Sequence, residues 1–272
     1  MVRSSRPAAR RSALAEASGF LRITSAIVSV ELSKLRRDPS ELLTRSVQPA
    51  LWLLVFGQVF GRLHAVPTGN LNYFTFLTPG ILAQSVLFIA IFYGISVIWE
   101  RDLGILQKLL ASPAQRSALV SGKALSAGIR ALAQGVIIYL LALIMQVPLN
   151  FSPMALAGVV AAILLGAALF STFSLMVACV VKTRERFMGI GQVLTMPLFF
   201  ASNAIYPIAI MPDWLKLTAH LNPLTYEVDL LRGLMIRGGS SSFGVGTDLA
   251  VLSMTLLLLV LVTAKLYPSI VR

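Results

Sequence analysis

An all-α integral membrane protein with six transmembrane helices is the fold class that three features of the sequence predict. The first is composition: 57% of the 272 residues are apolar and 12% are charged, about half the charge of an ordinary soluble domain. So little charge cannot keep a compact body wet, which argues against a soluble enzyme. The second is a series of long apolar stretches near the ~20 residues that a helix needs to cross the hydrocarbon core. The third is the placement of the 23 Lys and Arg, eighteen of which fall in segments that six spans would put on one face. The lone cysteine, Cys179, excludes an intrachain disulfide and a cysteine-based zinc site. His64 and His220, distant in sequence, argue against a histidine metal cluster.

Residues 1–46 read as a cytoplasmic basic tail and an interfacial helix. Met1 to Arg11 carries four arginines but no apolar core, so it is not a secretory signal; a basic tail is favoured over an organelle transit peptide. From Ser18 to Arg37, Arg22, Ser25, Ser29, Ser33 and Arg36 make a polar stripe. Leu21, Val28, Leu32 and Leu35 line another face, and Asp38-Pro39 stops the pattern. Such a helix lies in the membrane interface.

Residues 47–272 hold the six expected spans. They run over about Val47–Phe60, Phe74–Trp99, Leu119–Val147, Met154–Val181, Phe187–Met211 (interrupted by Pro197 and Pro207) and Leu249–Ala264. The cation asymmetry places both termini in the cytoplasm and explains the net charge of +12 by contact with anionic lipid headgroups rather than nucleic acid.

Three segments do more than span. The 100–118 connection begins with charges and continues with Leu103, Leu106, Leu109 and Leu110 before Ser112-Pro113; it predicts a short surface helix in need of a partner. Lys123, Ser126, Arg130 and Gln134 share one face of the third span. Two readings of that face stand side by side: a polar seam toward a helix or water-filled path, or an arginine that snorkels. In the fourth span Gly158, Ala162 and Gly166 form a small-residue face suited to close helix contact, while Ser171, Thr172 and Ser174 are expected to bond to their own helix backbone. The outer 205–240 segment predicts an amphipathic helix that dips back into the membrane. Asn222 is its N-cap, Pro223 its first residue, and Gly238-Gly239 its end. Leu224, Val228, Leu231 and Met235 mark its apolar face, Asp229 and Arg232 are spaced to pair, and Trp214 and Tyr226 suit headgroup depth.

No GxxxxGK[S/T], HExxH or GxSxG occurs. Beyond the third span no ionisable residue reads as buried mid-membrane, so the relay of an ion-driven carrier is not expected. A conduit without a relay must borrow its energy from a partner. Two other classes fit less well, a membrane-embedded lipid-modifying enzyme and a self-sufficient secondary carrier. The first lacks a polar cluster at headgroup depth, and the second lacks an inverted repeat.

The run Glu100-Arg101-Asp102-Leu103-Gly104-Ile105-Leu106 with Leu109-Leu110-Ala111-Ser112-Pro113 and Gly122-Lys123 resembles the cytoplasmic loop of ABC-2 type transporter permeases. Leu221-Asn222-Pro223-Leu224-Thr225-Tyr226 with Leu231-Arg232-Gly233 resembles the same family's marker before the last span. The branch most resembled exports daunorubicin-like drugs and nodulation lipo-oligosaccharides. The resemblance implies a permease that pairs with a second permease copy, a homodimer before a heterodimer, and with two separate ATPase subunits that bind ATP and Mg. This chain would then hold no cofactor and no catalytic residue. It further implies that Glu100, Arg101, Leu103, Gly104, Leu106, Leu109, Leu110 and Pro113 form the coupling helix, and that Asn222, Pro223, Tyr226 and Arg232 belong to re-entrant helices over the path of an amphipathic or lipid-linked cargo (drug, lipo-oligosaccharide or polysaccharide). The site would be the bacterial inner membrane. Gln107 departs from the acid common in the family at that position.

Overall fold

The computed structural model describes residues 40–63, 66–69, 71–103, 116–181 and 183–266, with positions 25, 29, 30, 32, 33 and 36–38 before them. The interfacial helix expected over 18–37 falls largely outside the described residues. Helix α1 (Ser40–Leu51) passes through a π turn (Trp52–Phe56) into α2 (Gly57–Leu63). Then come α3 (Tyr73–Asp102), α4 (Arg116–Ile144), α5 (Pro153–Val180), α6 (Arg184–Phe200), a 3-10 turn (Ile208–Ile210), α7 (Asp213–Leu221), α8 (Pro223–Met235) and α9 (Val245–Leu266). Among the described residues, extended backbone pairs only in an isolated bridge between Leu149 and Ile236. The fold is helical throughout.

Among the described residues, four segments are long and apolar enough to cross a membrane: Tyr73–Ser96, Leu125–Ile144, Pro153–Val180 and Val245–Leu266. They match the second, third, fourth and sixth expected spans. The first expected span lies within unbroken helical backbone from Ser40 to Leu63, about 36 Å at 1.5 Å per residue. Pro49 removes one backbone donor there, and one turn later the ladder slips into the π turn, where Trp52 stacks on Phe56 at 4.2 Å.

Helix α3 is the centre, packed against α1, α2, α4, α5, α6 and α8. Its uncharged sequence explains its burial, and its glycines explain how closely the neighbours approach. The Gly94 N–H donates to Ser174 Oγ of α5 (3.0 Å), and that hydroxyl donates to the Ile91 carbonyl (2.6 Å). A Cβ at Gly94 would overlap Ser174 and Phe187. Of the three hydroxyls expected to bond within their own helix, Ser171 and Thr172 do so, to Ala168, whereas Ser174 bridges to α3. The close approach of α3 and α5 at Gly94 is the reason. Helix α9 lies at the edge of the bundle, against α5 and α8, and presents most of its apolar surface outward.

The fifth expected span is shorter than the apolar run suggests. Helix α6 ends at Phe200 rather than near Met211, which gives about 25 Å, less than the hydrocarbon thickness of about 30 Å. Pro197 lies in its last turn. The final carbonyls, which a helix end leaves unpaired, are taken from outside: the Asn222 amide donates to Leu198 O (2.6 Å) and Ala201 O (3.1 Å). Residues 201–204 then form a buried elbow under α3, with the Ala204 backbone against Gly80. Irregular backbone is tolerated there because protein covers it.

Candidate functional site

The elbow leads through α7 into α8, and α8 is the unexpected element. The sequence predicts one apolar and one wet face. In the structure Leu224, Val228, Leu231 and Met235 are buried, and so are Thr225, Tyr226, Glu227, Asp229 and Arg232. The polar face is inside because α3, α5 and α9 surround the helix. Tyr226, expected at headgroup depth, is buried with its hydroxyl donating to the His220 carbonyl (2.8 Å), whereas Trp214 of α7 is 70% exposed.

The small face of α5 receives α8 in antiparallel register. Gly158 lies against Leu234, and Gly166 lies against the Glu227 carboxyl. Gly166 sits midway along α5, so the N-terminal end of α8 is deep and its other end rises to the α4–α5 connection. There Asn150 N donates to Met235 O and Arg237 N donates to Pro148 O, both at 2.8 Å. The close helix contact expected of the small face is real, but its occupant is a short re-entering helix.

Each polar group on α8 has its own address. Asn222 caps the helix, its side-chain oxygen accepting from Leu224 N (3.0 Å), with Pro223 in the first turn. Arg232 donates through Nη2 to Asn203 O (2.9 Å) and Phe76 O (3.3 Å), its guanidinium stacked on the Phe76 ring at 3.9 Å. Asp229 accepts from Phe243 N (2.9 Å) and meets Ser241 Oγ (3.0 Å), a hydroxyl that also lies 2.7 Å from Asp248 of α9. The pairing of Asp229 with Arg232 is therefore not made: the carbonyls of α3 and the elbow hold the cation, and the 241–243 loop holds the carboxylate. Glu227 is 0% exposed, and neither carboxyl oxygen has a hydrogen-bond partner. Burial raises its pKa well above the ordinary carboxylate range. The expectation that nothing ionisable is buried at depth beyond the third span is overturned: a carboxyl on α8, which is not itself a spanning helix, reaches the middle of one.

The expected seam on α4 is in part brought together. Gln134 Nε2 donates to Ser46 Oγ of α1 (3.0 Å), and both side chains are buried. Ser126 is buried and Arg130 half-buried on the same helix. The backbone of Lys123 belongs to α4; its side chain lies outside the described residues. At the far end of α3, Arg184 Nε donates to Asp102 Oδ2 (3.0 Å) and its guanidinium covers Trp99 at 3.8 Å. Glu100 and Arg101 are in the last turn of α3, with side chains outside the described residues. Leu103 is 60% exposed in the turn that follows, and Gly104, Leu106, Leu109, Leu110 and Pro113 lie outside the described residues.

Sequence reasoning missed Glu227, Asp248, Ser241, Gly166 as the carboxyl's seat, and Phe76. The available signal was Gly166 itself, a gap halfway along an apolar span.

One consequence is measurable on stability alone. Asn222→Ala loses the N-cap, about 1 kcal/mol, and takes the amide donor from the carbonyls of Leu198 in α6 and Ala201 in the elbow, about 1–3 kcal/mol. Thermal unfolding in detergent is expected to fall accordingly. Asn222→Asp keeps the cap acceptor without the donating amide and is expected to fall between. An unchanged melting temperature in Asn222→Ala would refute the double role.

A central helix buried among spans, with a polar helix folded back beside it, defines a polytopic helical membrane protein of transport type. The chain belongs to the ABC-2 type transporter family, whose model matches residues 23–236. It is 30% identical to a protein of Pyropia yezoensis named as a transport permease, ycf38, over 77% of this chain and 72% of that one. It is 23% identical to the daunorubicin resistance ABC transporter permease protein DrrB1 of Streptomyces coeruleorubidus, over 84% and 80%. It is 26% identical to nodulation protein J of Sinorhizobium fredii, over 66% of each chain. The chain is thus an ABC-2 permease, multi-pass in a membrane.

Proposed function

We propose that the chain is the export permease of an ATP-driven transporter, carrying an amphipathic or lipid-linked molecule for which a separate ATPase supplies the energy. The likeness to a daunorubicin resistance permease supports an amphipathic, drug-like cargo. On this reading there are six spans, with the Ser40–Leu63 run as the first and α6 plus its elbow as the fifth. Both termini are cytoplasmic in the bacterial inner membrane. A second copy of the chain and two ATPase subunits complete the assembly, with ATP and Mg on those subunits and membrane lipids around the bundle.

The observation that carries the proposal is the placement of α3. At one end it runs through Trp99 and Asp102, held by Arg184, directly into the 103–113 segment assigned to coupling. At the other, about 45 Å away for 30 residues, Phe76 and Gly80 are clasped by Arg232 and the 201–204 elbow. A buried helix fixed at both ends passes displacement along its axis, because packed interiors resist compression. Movement imposed on the coupling segment then reaches the α8 cap.

Affinity capture of the tagged chain from its own membranes is expected to bring down a nucleotide-binding ATPase. ATP turnover or gradient-driven flux by the purified chain alone would overturn the proposal. Arg130→Ala is expected to reduce export more than melting temperature if the α4 seam borders the path. Normal export with reduced expression would leave it a snorkelling cation.

A further inference from the structure

We propose that Glu227 is a proton-binding site, and that α8 occupies its seat only while Glu227 holds its proton. The argument starts from the seat. Both carboxyl oxygens are buried against the Gly166 backbone with no donor within reach, and a Cβ at Gly166 would occupy their space. An ionised carboxylate there would be desolvated with nothing in return, a penalty of several kcal/mol, whereas the neutral acid pays far less.

No neighbouring group relieves it. In α5 the sole titratable side chain is Cys179, near the opposite end. In α3 the outer end offers Tyr73, whose hydroxyl donates to Ile205 O (3.2 Å), and the charged residues Glu100, Arg101 and Asp102 lie at its far end. In α9, Asp248 is engaged by Ser241, and Lys265 is in the last turn. In α7, Asp213 pairs with Lys216 at 3.2 Å, and His220 Nδ1 lies 2.6 Å from the Lys216 carbonyl. On α8 itself Tyr226, Asp229 and Arg232 have the partners given above. The nearest cation on the same helix is thus committed to two carbonyls and a ring.

The sign follows. Seated α8 binds a proton on Glu227, and released α8 returns the group to water, where glutamate ionises near about 4.3. Acid therefore favours the seated form. Between that value and the pH at which the seated group itself ionises, the released fraction rises about tenfold per pH unit. The inference concerns the seat of α8 alone and holds whether or not α8 caps a cargo path, since its test needs neither ATPase nor cargo.

The test uses the full chain in lipid vesicles with Cys179→Ala and a reporter, Thr225→Cys. Thr225 is fully buried on α8 and its hydroxyl has no partner, so the exchange is mild. Labelling by a water-soluble maleimide is normalised at each pH to the denatured chain, which removes the thiol's own titration. Labelling is expected to rise about tenfold per pH unit with Glu227 present, and to be flat in Glu227→Gln and Glu227→Met. A flat profile with Glu227 present, or an equal slope in either variant, overturns the proposal. A second readout needs no variant: infrared spectra of the chain carrying isotope-labelled glutamate are expected to show a protonated carboxyl at neutral pH, and its absence overturns the proposal.

Discussion

Arg232→Met is expected to abolish export and to lower folding stability by about 1.5–3 kcal/mol, the range for a hydrogen bond made by a charged group. The side chain has nearly the same length and apolar body, so volume is not the cause. What goes is the pair of hydrogen bonds to Phe76 O and Asn203 O and the stacking on the Phe76 ring. Two elements lose their common tie to α8 at once: the outer end of α3 and the elbow that follows α6. Arg232→Lys is expected to rescue only in part, since an ammonium can donate to both carbonyls, as Nη2 alone does here, but cannot lie flat on the Phe76 ring. Thermal unfolding in detergent and export from cells are the two measurements. Wild-type values of both in Arg232→Met would dismiss the clasp.

The second large effect lies at the other end of α3. Leu106→Asp and Leu109→Asp are each expected to abolish cargo-stimulated ATP hydrolysis in the assembled transporter while membrane insertion stays normal. These leucines belong to a connection too apolar to float and too short to span, so on the proposed reading a charge there would forfeit a contact with the ATPase rather than a span. A full rate of transport in either variant would remove the segment from the coupling path. Because Arg232 ties α3 to α8 whereas Leu106 belongs to the proposed coupling segment, the two signatures are expected to differ. The first lowers stability and export together, and the second uncouples an intact permease.

The spans over α3, α4, α5 and α9 were legible because long apolar runs with few or no charges leave few alternatives in water. The Asn222-Pro223 cap was legible because its chemistry is local. The end of α6 was not, since apolar composition continues past Phe200 while the chain turns. What stops the helix is a side chain 22 residues on, whose amide claims its last carbonyls. The inner polar face of α8 was likewise hidden. Amphipathic spacing says that two faces differ, and only the packing of α3, α5 and α9 around the helix says that neither is wet.

By itself, then, the sequence determined that this chain lives in a bilayer and which family it resembles, because those properties are sums over residues and do not depend on neighbours. Tertiary structure alone decided that Ser174 bridges two helices, that Arg232 holds carbonyls instead of Asp229, and that Glu227 lies unpartnered on Gly166. Partner choice among buried polar groups is set by whichever donor or acceptor the fold brings within about 3 Å, and no periodicity in the sequence carries that distance.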